Sequence, residues 1–160
     1  MYRQRFGLDG HPFPQDATGD RCAPLPGYDK LKRRFDMLAR EPGLGIFTAR
    51  AGLGKTTGMR SLCHALPRPD YQVIYICDTA VSPLDLYRGL ATELGVRPSH
   101  RRAQLWHDLK GAMVHLVDEQ NIQPIIIIDE AQHLGDRFLV DLAGFLNFAM
   151  DSRNVLTLWL

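Results

Sequence analysis

A glycine-containing loop between a short apolar stretch and a helix start is the feature that most constrains this chain. Residues 44–57 have the sequence LGIFTARAGLGKTT, in which Ala49–Thr56 is close to the phosphate-binding pattern G-x-x-x-x-G-K-[ST]. Such a loop surrounds a triphosphate with backbone N–H groups, and the following helix directs its positive N-terminal end at the anion. Gly52 and Gly54 allow positive φ and a close approach to the phosphates. The sequence therefore predicts a triphosphate site here.

Two side chains at the helix start are predicted to contact the ligand. Lys55 is expected to reach the β- and γ-phosphates, and the Thr56 hydroxyl is expected to ligate Mg²⁺. Ala49 stands where the pattern has its first glycine, so the loop requires Ala49 to keep a negative φ. The alternative is a chance glycine-rich turn that contains a lysine. The plausible strand before the loop and helix after it favour phosphate binding, because the motif requires that context.

Composition excludes several classes of protein. The chain has 160 residues, of which 45% are apolar and 23% charged, as in a single globular domain. The net charge of +1 means that any surface for nucleic acid or membrane must be local. Three cysteines without C-x-x-C spacing indicate neither a disulfide framework nor a zinc site. The apolar run 125–128 is too short to span a bilayer, and the N-terminus lacks a signal-peptide core, so we expect a cytoplasmic protein.

The first 26 residues differ from the rest of the chain. They are rich in Gly, Pro and Asp and have no sustained hydrophobic period. We expect residues 1–26 to form a loop-like arm laid on the domain of residues 27–160. Its expected anchors are Phe6, Leu8 and Phe13.

Beyond the arm, apolar periodicity alternates between strand and helix patterns. Helices are predicted over 27–40, from 55 to about 66, over 82–95, from Ser99 as a cap through 116, and around 138–149. A short strand is predicted to begin at residue 44, and further strands are predicted over 71–77, 125–129 and 155–160. Ser82 and Pro83 have the chemistry of a helix cap and a first helical residue. Strands that alternate with helices predict an α/β fold with a parallel sheet.

Four isoleucines followed by Asp129 and Glu130 form the acidic partner of the phosphate loop. A continuous apolar run is typical of a central parallel strand that is covered on both faces. Asp129 is expected to hold Mg²⁺, directly or through water, and Glu130 to polarise the attacking water as a general base. The alternative is a strand that ends in solvated acids. The upstream phosphate loop favours the catalytic interpretation, because phosphoryl-transfer sites pair these two elements.

The spacing of the two motifs indicates which class of nucleotide-binding protein the chain resembles. An intervening strand at 71–77 and its helices separate them, and Glu directly follows Asp. This arrangement resembles the additional-strand, catalytic-glutamate branch of P-loop ATPases. GTPases are disfavoured because the sequence has no N-K-x-D motif, and small-molecule kinases because they rarely carry the paired acids.

A narrower resemblance rests on DEAQHL at 129–134, together with Phe6-Gly7-Leu8 and Pro12-Phe13. These residues resemble the AAA+ ATPases of the general secretion pathway A type and the helper ATPases of bacterial transposons, over nearly the whole chain. The resemblance implies an AAA+ fold with sheet order 5-1-4-3-2, ATP and Mg²⁺ as ligands, and assembly into rings or filaments. It assigns Asp129 and Glu130 to metal and water, and places residues 6–13 near the adenine. The residues that it assigns to phosphate and Mg²⁺ are Ala51, Gly52, Leu53, Gly54, Lys55, Thr56 and Thr57.

The chain departs from that family at its end, since the fourth strand stops at Leu160. The family carries a polar sensor at the end of this strand, followed by a fifth strand, an arginine finger and a helical lid. We therefore expect a core truncated after the fourth strand, the N-terminal part of a larger ATPase. ATP hydrolysis is expected of the complete protein, and an ATP-binding module without turnover is an alternative for residues 1–160.

Two wider roles follow from the resemblance. The first is a helper of DNA transposition, a homo-oligomer with a transposase and duplex DNA as partners. For it, the basic segment 97–102 (RPSHRR) is a candidate phosphate contact, although a solvated interhelical loop is the alternative. The second is a secretion-pathway ATPase, which requires a membrane segment that this sequence does not contain.

Overall fold

The computed structural model describes residues 2–8, 27–77, 81–147 and 153–160. The helices are α1 (Tyr2–Arg5), α2 (Tyr28–Arg40), α3 (Lys55–Ala65), α4 (Pro83–Glu93), α5 (Arg102–Asp118) and α6 (Asp136–Leu146). The strands are β1 (Leu44–Gly45), β2 (Tyr71–Ile76), β3 (Gln123–Ile128) and β4 (Thr157–Trp159), and a short 3-10 helix, Ala131–His133, follows β3. Among the described helices, none combines the length and the apolar character needed to cross a membrane.

The described strands form one parallel sheet in the order β1-β4-β3-β2. This order is the 1-4-3-2 part of the predicted arrangement, and it confirms the α/β fold class. Because parallel strands end at the same edge of the sheet, the loop after β1 and the acids after β3 are brought to one side. That edge is where the candidate site is formed.

The isoleucines of β3 explain why this strand is central. Successive side chains of a strand point to opposite faces, and here they enter two different cores. Ile125 and Ile127 pack with α2, α3 and Trp159, whereas Ile126 and Ile128 pack with α4, α5 and α6. Burial on both faces therefore fixes the position of the strand end that carries the two acids.

Two predicted helix caps have different outcomes. Ser82 caps α4 as predicted, because its hydroxyl accepts a hydrogen bond from the backbone N–H of Asp85 at 3.3 Å. The prediction for Ser99 is wrong: α5 begins at Arg102, with Arg101 in the N-cap position. The Ser99 hydroxyl instead accepts from the backbone N–H of Arg101 at 3.3 Å, a local bond that competes with capping.

The N-terminal arm differs from its prediction where it is described. Residues 2–5 form the short helix α1 rather than a loop. Phe6 is 70% exposed and is not an anchor, while Leu8 is partly buried. The third predicted anchor, Phe13, lies outside the described residues, as does the end of the last predicted helix at 149.

Gly45 of β1 packs directly against the indole of its strand partner Trp159, which also stacks on Phe35. A Cβ at Gly45 would lie 2.4 Å from Cε3 of Trp159. We expect Gly45→Ala to lower the free energy of unfolding by about 1–3 kcal/mol, because overpacking displaces a buried ring. Urea denaturation measures the change.

Gly111 provides the matched control for that substitution. It lies within α5, is exposed, and has no atom within 4 Å of an added Cβ. Gly111→Ala should stabilise the protein by about 0.5–1 kcal/mol through helix propensity. Equal unfolding free energies for the Gly45 variant and the unchanged protein would contradict the packing argument.

Candidate nucleotide-binding site

The predicted phosphate loop connects β1 to α3, and its backbone agrees with the motif at the positions where the sequence made a prediction. Gly52 and Gly54 have φ of 78° and 80°, in the left-handed region. At Gly52 an added Cβ would meet no atom within 4 Å, so conformation rather than space requires the glycine. Positive φ at described non-glycine residues is confined to Asn121 and Glu130, so Ala49 meets its requirement.

Lys55 is the first residue of α3, at the positive end of the helix dipole. Its Nζ donates a hydrogen bond back across the loop to the carbonyl oxygen of Ala49, over 3.3 Å. The ammonium group therefore lies over the turn of the loop. This position suits contact with a phosphate chain that is wrapped by the same backbone.

Asp129 joins the phosphate loop to the end of β3. Its Oδ2 accepts hydrogen bonds from the Thr56 hydroxyl at 2.7 Å and from the Tyr75 hydroxyl at 2.6 Å. Its Oδ1 accepts from the backbone N–H of Glu130 at 2.9 Å. Burial by itself raises the pKa of Asp129. The bonds from Tyr75, Thr56 and Glu130, with the positive charge of Lys55, outweigh that effect and leave the pKa below its ordinary value.

The Thr56–Asp129 pair has the donor chemistry of a magnesium site. Mg²⁺ prefers oxygen ligands, and both groups supply oxygen. Because the Thr56 hydroxyl donates its hydrogen bond to Asp129, the lone pairs of the Thr56 oxygen are left for a cation. An ionised Asp129 adds the negative charge. The residues present therefore fit Mg²⁺.

Glu130 has an unusual backbone conformation. Its φ is 55° and ψ 38°, which is the left-handed region. Such conformations cost about 1–3 kcal/mol in a non-glycine residue and concentrate at functional sites. The Glu130 side chain is exposed, and its Oε2 accepts a hydrogen bond from the side-chain amide of Gln132. Gln132 thus orients the carboxylate that was predicted to act as the base.

A cavity of about 650 Å³ lies between the phosphate loop and the segment after β3. The predicted site residues that line this cavity are Ala51, Gly52, Gly54, Lys55, Thr56, Thr57 and Glu130. Gln132 also lines it, whereas Leu53 lines an adjoining cavity of about 310 Å³ beside α2. A further cavity, of about 260 Å³, is lined by Lys55, Thr56 and Asp129. The structure therefore brings the predicted residues together, although their roles stay predictions.

Sequence reasoning missed two residues of this arrangement. Gln132 lies within the DEAQHL string, but the string by itself does not assign it a role. Tyr75 appeared as one more aromatic residue of a β-strand, and only its pairing with β3 shows that it reaches Asp129. An amide two residues after an acid pair is a usable sequence signal, whereas no sequence signal indicates the contact of Tyr75.

Comparison with known proteins decides the family. A family model described as an AAA domain matches residues 38–160, which contain both the phosphate loop and the acid pair. The chain belongs to this AAA family. Together with the observed sheet order, the match identifies the chain as an AAA+ P-loop ATPase domain, as the sequence predicted.

The AAA domain has a similar curated protein and a similar solved structure. It is 28% identical, over 166 residues, to General secretion pathway protein A of Aeromonas hydrophila. That match covers 98% of this chain but only 29% of the relative's length. The crystal structure of Cdc6p from Pyrobaculum aerophilum matches with a TM-score of 0.71 and 17% identity, over 95% of this chain and 42% of the other. The second likeness supports the fold alone.

Proposed function

We propose that this AAA+ domain binds ATP together with Mg²⁺ and that the complete protein hydrolyses ATP to ADP and phosphate. The observation that carries the proposal is the 2.7 Å hydrogen bond between Thr56 and Asp129. It joins the phosphate loop to the acid pair and shows that the two motifs share one edge of the sheet. A glycine-rich turn that arose by chance would not be expected to contact the acids at the end of the buried strand β3.

Each residue has a distinct role in the proposed reaction. The backbone N–H groups of residues 51–57 bind the phosphates, and Lys55 pairs with their β- and γ-oxygens. Thr56 and Asp129 hold the cation, which when bound neutralises charge on those oxygens. Glu130 accepts a proton from the attacking water as a general base. The Gln132 amide holds the Glu130 carboxylate at the rim of the cavity.

Nucleotide titration tests the binding part of the proposal. The 160-residue chain is titrated with a fluorescent ATP analogue in Mg²⁺ and again in EDTA, and unlabelled ATP and GTP serve as competitors. We expect saturable binding that Mg²⁺ strengthens and that ATP reverses more effectively than GTP. Absence of saturable binding at millimolar analogue would overturn the proposal. Phosphate release by the complete gene product tests the hydrolysis part.

The wider role is proposed from the relative. Its name, General secretion pathway protein A, favours the secretion-type ATPase over the transposition helper. Because this chain spans less than a third of that protein, the role concerns the complete protein, for which we also propose homo-oligomeric assembly. The gene sequence beyond codon 160 provides the test: a transmembrane helix and a peptidoglycan-binding module would support secretion, and an adjacent transposase gene would contradict it.

The transposition role stays a prediction, with one surface to test. Arg97, His100 and Arg101 are exposed in the segment before α5, whereas Arg102 forms an ion pair with Asp141. Filter binding of duplex DNA to the complete protein, with and without ATP, measures the predicted contact. Absence of binding in both conditions would exclude DNA as a partner.

A further inference from the structure

Tyr75 of β2 reaches the metal-holding carboxylate because of the strand register. Tyr75 pairs with Ile127 of β3, and the ladder continues to a 2.8 Å bond from the backbone N–H of Asp129 to the carbonyl oxygen of Ile76. Since side chains alternate along a strand, Tyr75, Ile127 and Asp129 lie on the same face of the sheet. This face is covered by α3, which carries Thr56. The Tyr75 ring therefore extends diagonally, toward the strand end, onto Asp129.

The donors around Asp129 limit how it can meet a cation. An ionised carboxylate offers about four lone-pair positions. Thr56 and Tyr75 both donate to Oδ2, and the Glu130 backbone donates to Oδ1. About one position then remains, on Oδ1, which allows a single contact to a cation or to its water. The three donors also come from three different elements, so together they fix the carboxylate's rotation.

We propose that Tyr75 is a positioning residue, whose hydroxyl holds the Asp129 carboxylate so that its remaining lone pair faces Mg²⁺. The inference rests on the proposed function. Partners that orient a metal ligand typically contribute 10–100-fold to metal affinity. Tyr75 suits this role because its hydroxyl donates at 2.6 Å from a strand held by the continuous β2–β3 ladder. Without the Tyr75 bond, Oδ2 keeps the Thr56 bond and Oδ1 the Glu130 bond, so the carboxylate is held by two donors rather than three.

Tyr75→Phe separates this role from a structural one. Tyr75 is 45% exposed and phenylalanine keeps its ring, so the substitution removes the hydroxyl without opening a cavity in the core. We expect the midpoint for Mg²⁺ in the nucleotide titration to rise by about 10–100-fold. The affinity for the analogue in EDTA and the thermal midpoint should not change. Electron paramagnetic resonance of bound Mn²⁺, in the presence of ATP, measures the metal affinity directly, without turnover.

Tyr71→Phe is the matched control. Tyr71 is on the same face of β2, four residues earlier, and pairs with Gln123 at the opposite end of β3. Its hydroxyl is therefore too far from Asp129 to affect the metal. We expect wild-type Mn²⁺ affinity in this variant.

A second background tests whether Tyr75 acts through Asp129. In an Asp129→Ala protein, Tyr75→Phe should have no further effect on Mn²⁺ affinity, because non-additivity marks groups that act together. Equal losses of Mn²⁺ affinity from Tyr75→Phe in both backgrounds would overturn the inference. Wild-type Mn²⁺ affinity in the Tyr75→Phe single variant would also overturn it, as would weaker binding of the analogue by that variant in EDTA. In each of these cases the unchanged protein still binds nucleotide with Mg²⁺, so the proposed function stands. If the unchanged protein fails to bind nucleotide, both are overturned.

Discussion

Replacing Glu130 with glutamine is expected to stop ATP hydrolysis by the complete protein while ATP binding is preserved. The amide keeps the size of the side chain but cannot accept a proton from water. General-base catalysis contributes typically 10²–10⁴-fold, and we expect a loss of roughly that size in kcat. The left-handed backbone at position 130 costs glutamine about as much as glutamate, and an amide oxygen can still accept from Gln132. Steady-state phosphate release and analogue titration measure the two quantities.

Glu119→Gln serves as the control for that experiment. Glu119 is an exposed acid directly after α5, where it pairs with His115 far from the cavity lining. Its replacement should leave kcat unchanged. Wild-type turnover in the Glu130 variant would remove Glu130 from the mechanism, and loss of nucleotide binding would show that it supports the site rather than the reaction.

Replacing Lys55 with alanine is expected to abolish ATP binding in ordinary titrations. Among the described residues that line the 650 Å³ cavity, Lys55 is the only lysine or arginine. Two charge-assisted hydrogen bonds to phosphate oxygens contribute about 1.5–3 kcal/mol each. Their loss corresponds to roughly two to four orders of magnitude in affinity. Calorimetric titration with ATP and Mg²⁺ measures the change.

Lys32→Ala controls for the loss of one positive charge. Lys32 is an exposed residue of α2 that pairs with Asp36 and does not line the cavity. We expect unchanged ATP affinity in this variant. Unchanged affinity in the Lys55 variant as well would contradict the role assigned to Lys55, and its thermal midpoint shows whether the bond to Ala49 matters for folding.

Much of the fold could be predicted because the signals are local. The buried positions Leu105, Leu109, Met113 and Leu116 follow from helical spacing, and α5 buries those four. Ser82 and Pro83 have the chemistry of a helix start wherever the helix packs. Predictions that depend on which residues pack together in three dimensions were less accurate. Phe6 is 70% exposed, although its apolar character predicted an anchor.

The sequence by itself determined the phosphate loop, the buried strand that ends in two acids, and the family that carries both. These properties depend on residue order along a few turns or strands, so they are visible without coordinates. The tertiary structure decided how the two motifs meet. Only the register of β2 on β3 brings Tyr75 to Asp129, and only the packing of α3 on that face brings Thr56 to the same oxygen. The register joins residues more than fifty positions apart and is set by the packing of two cores, so no local pattern encodes it.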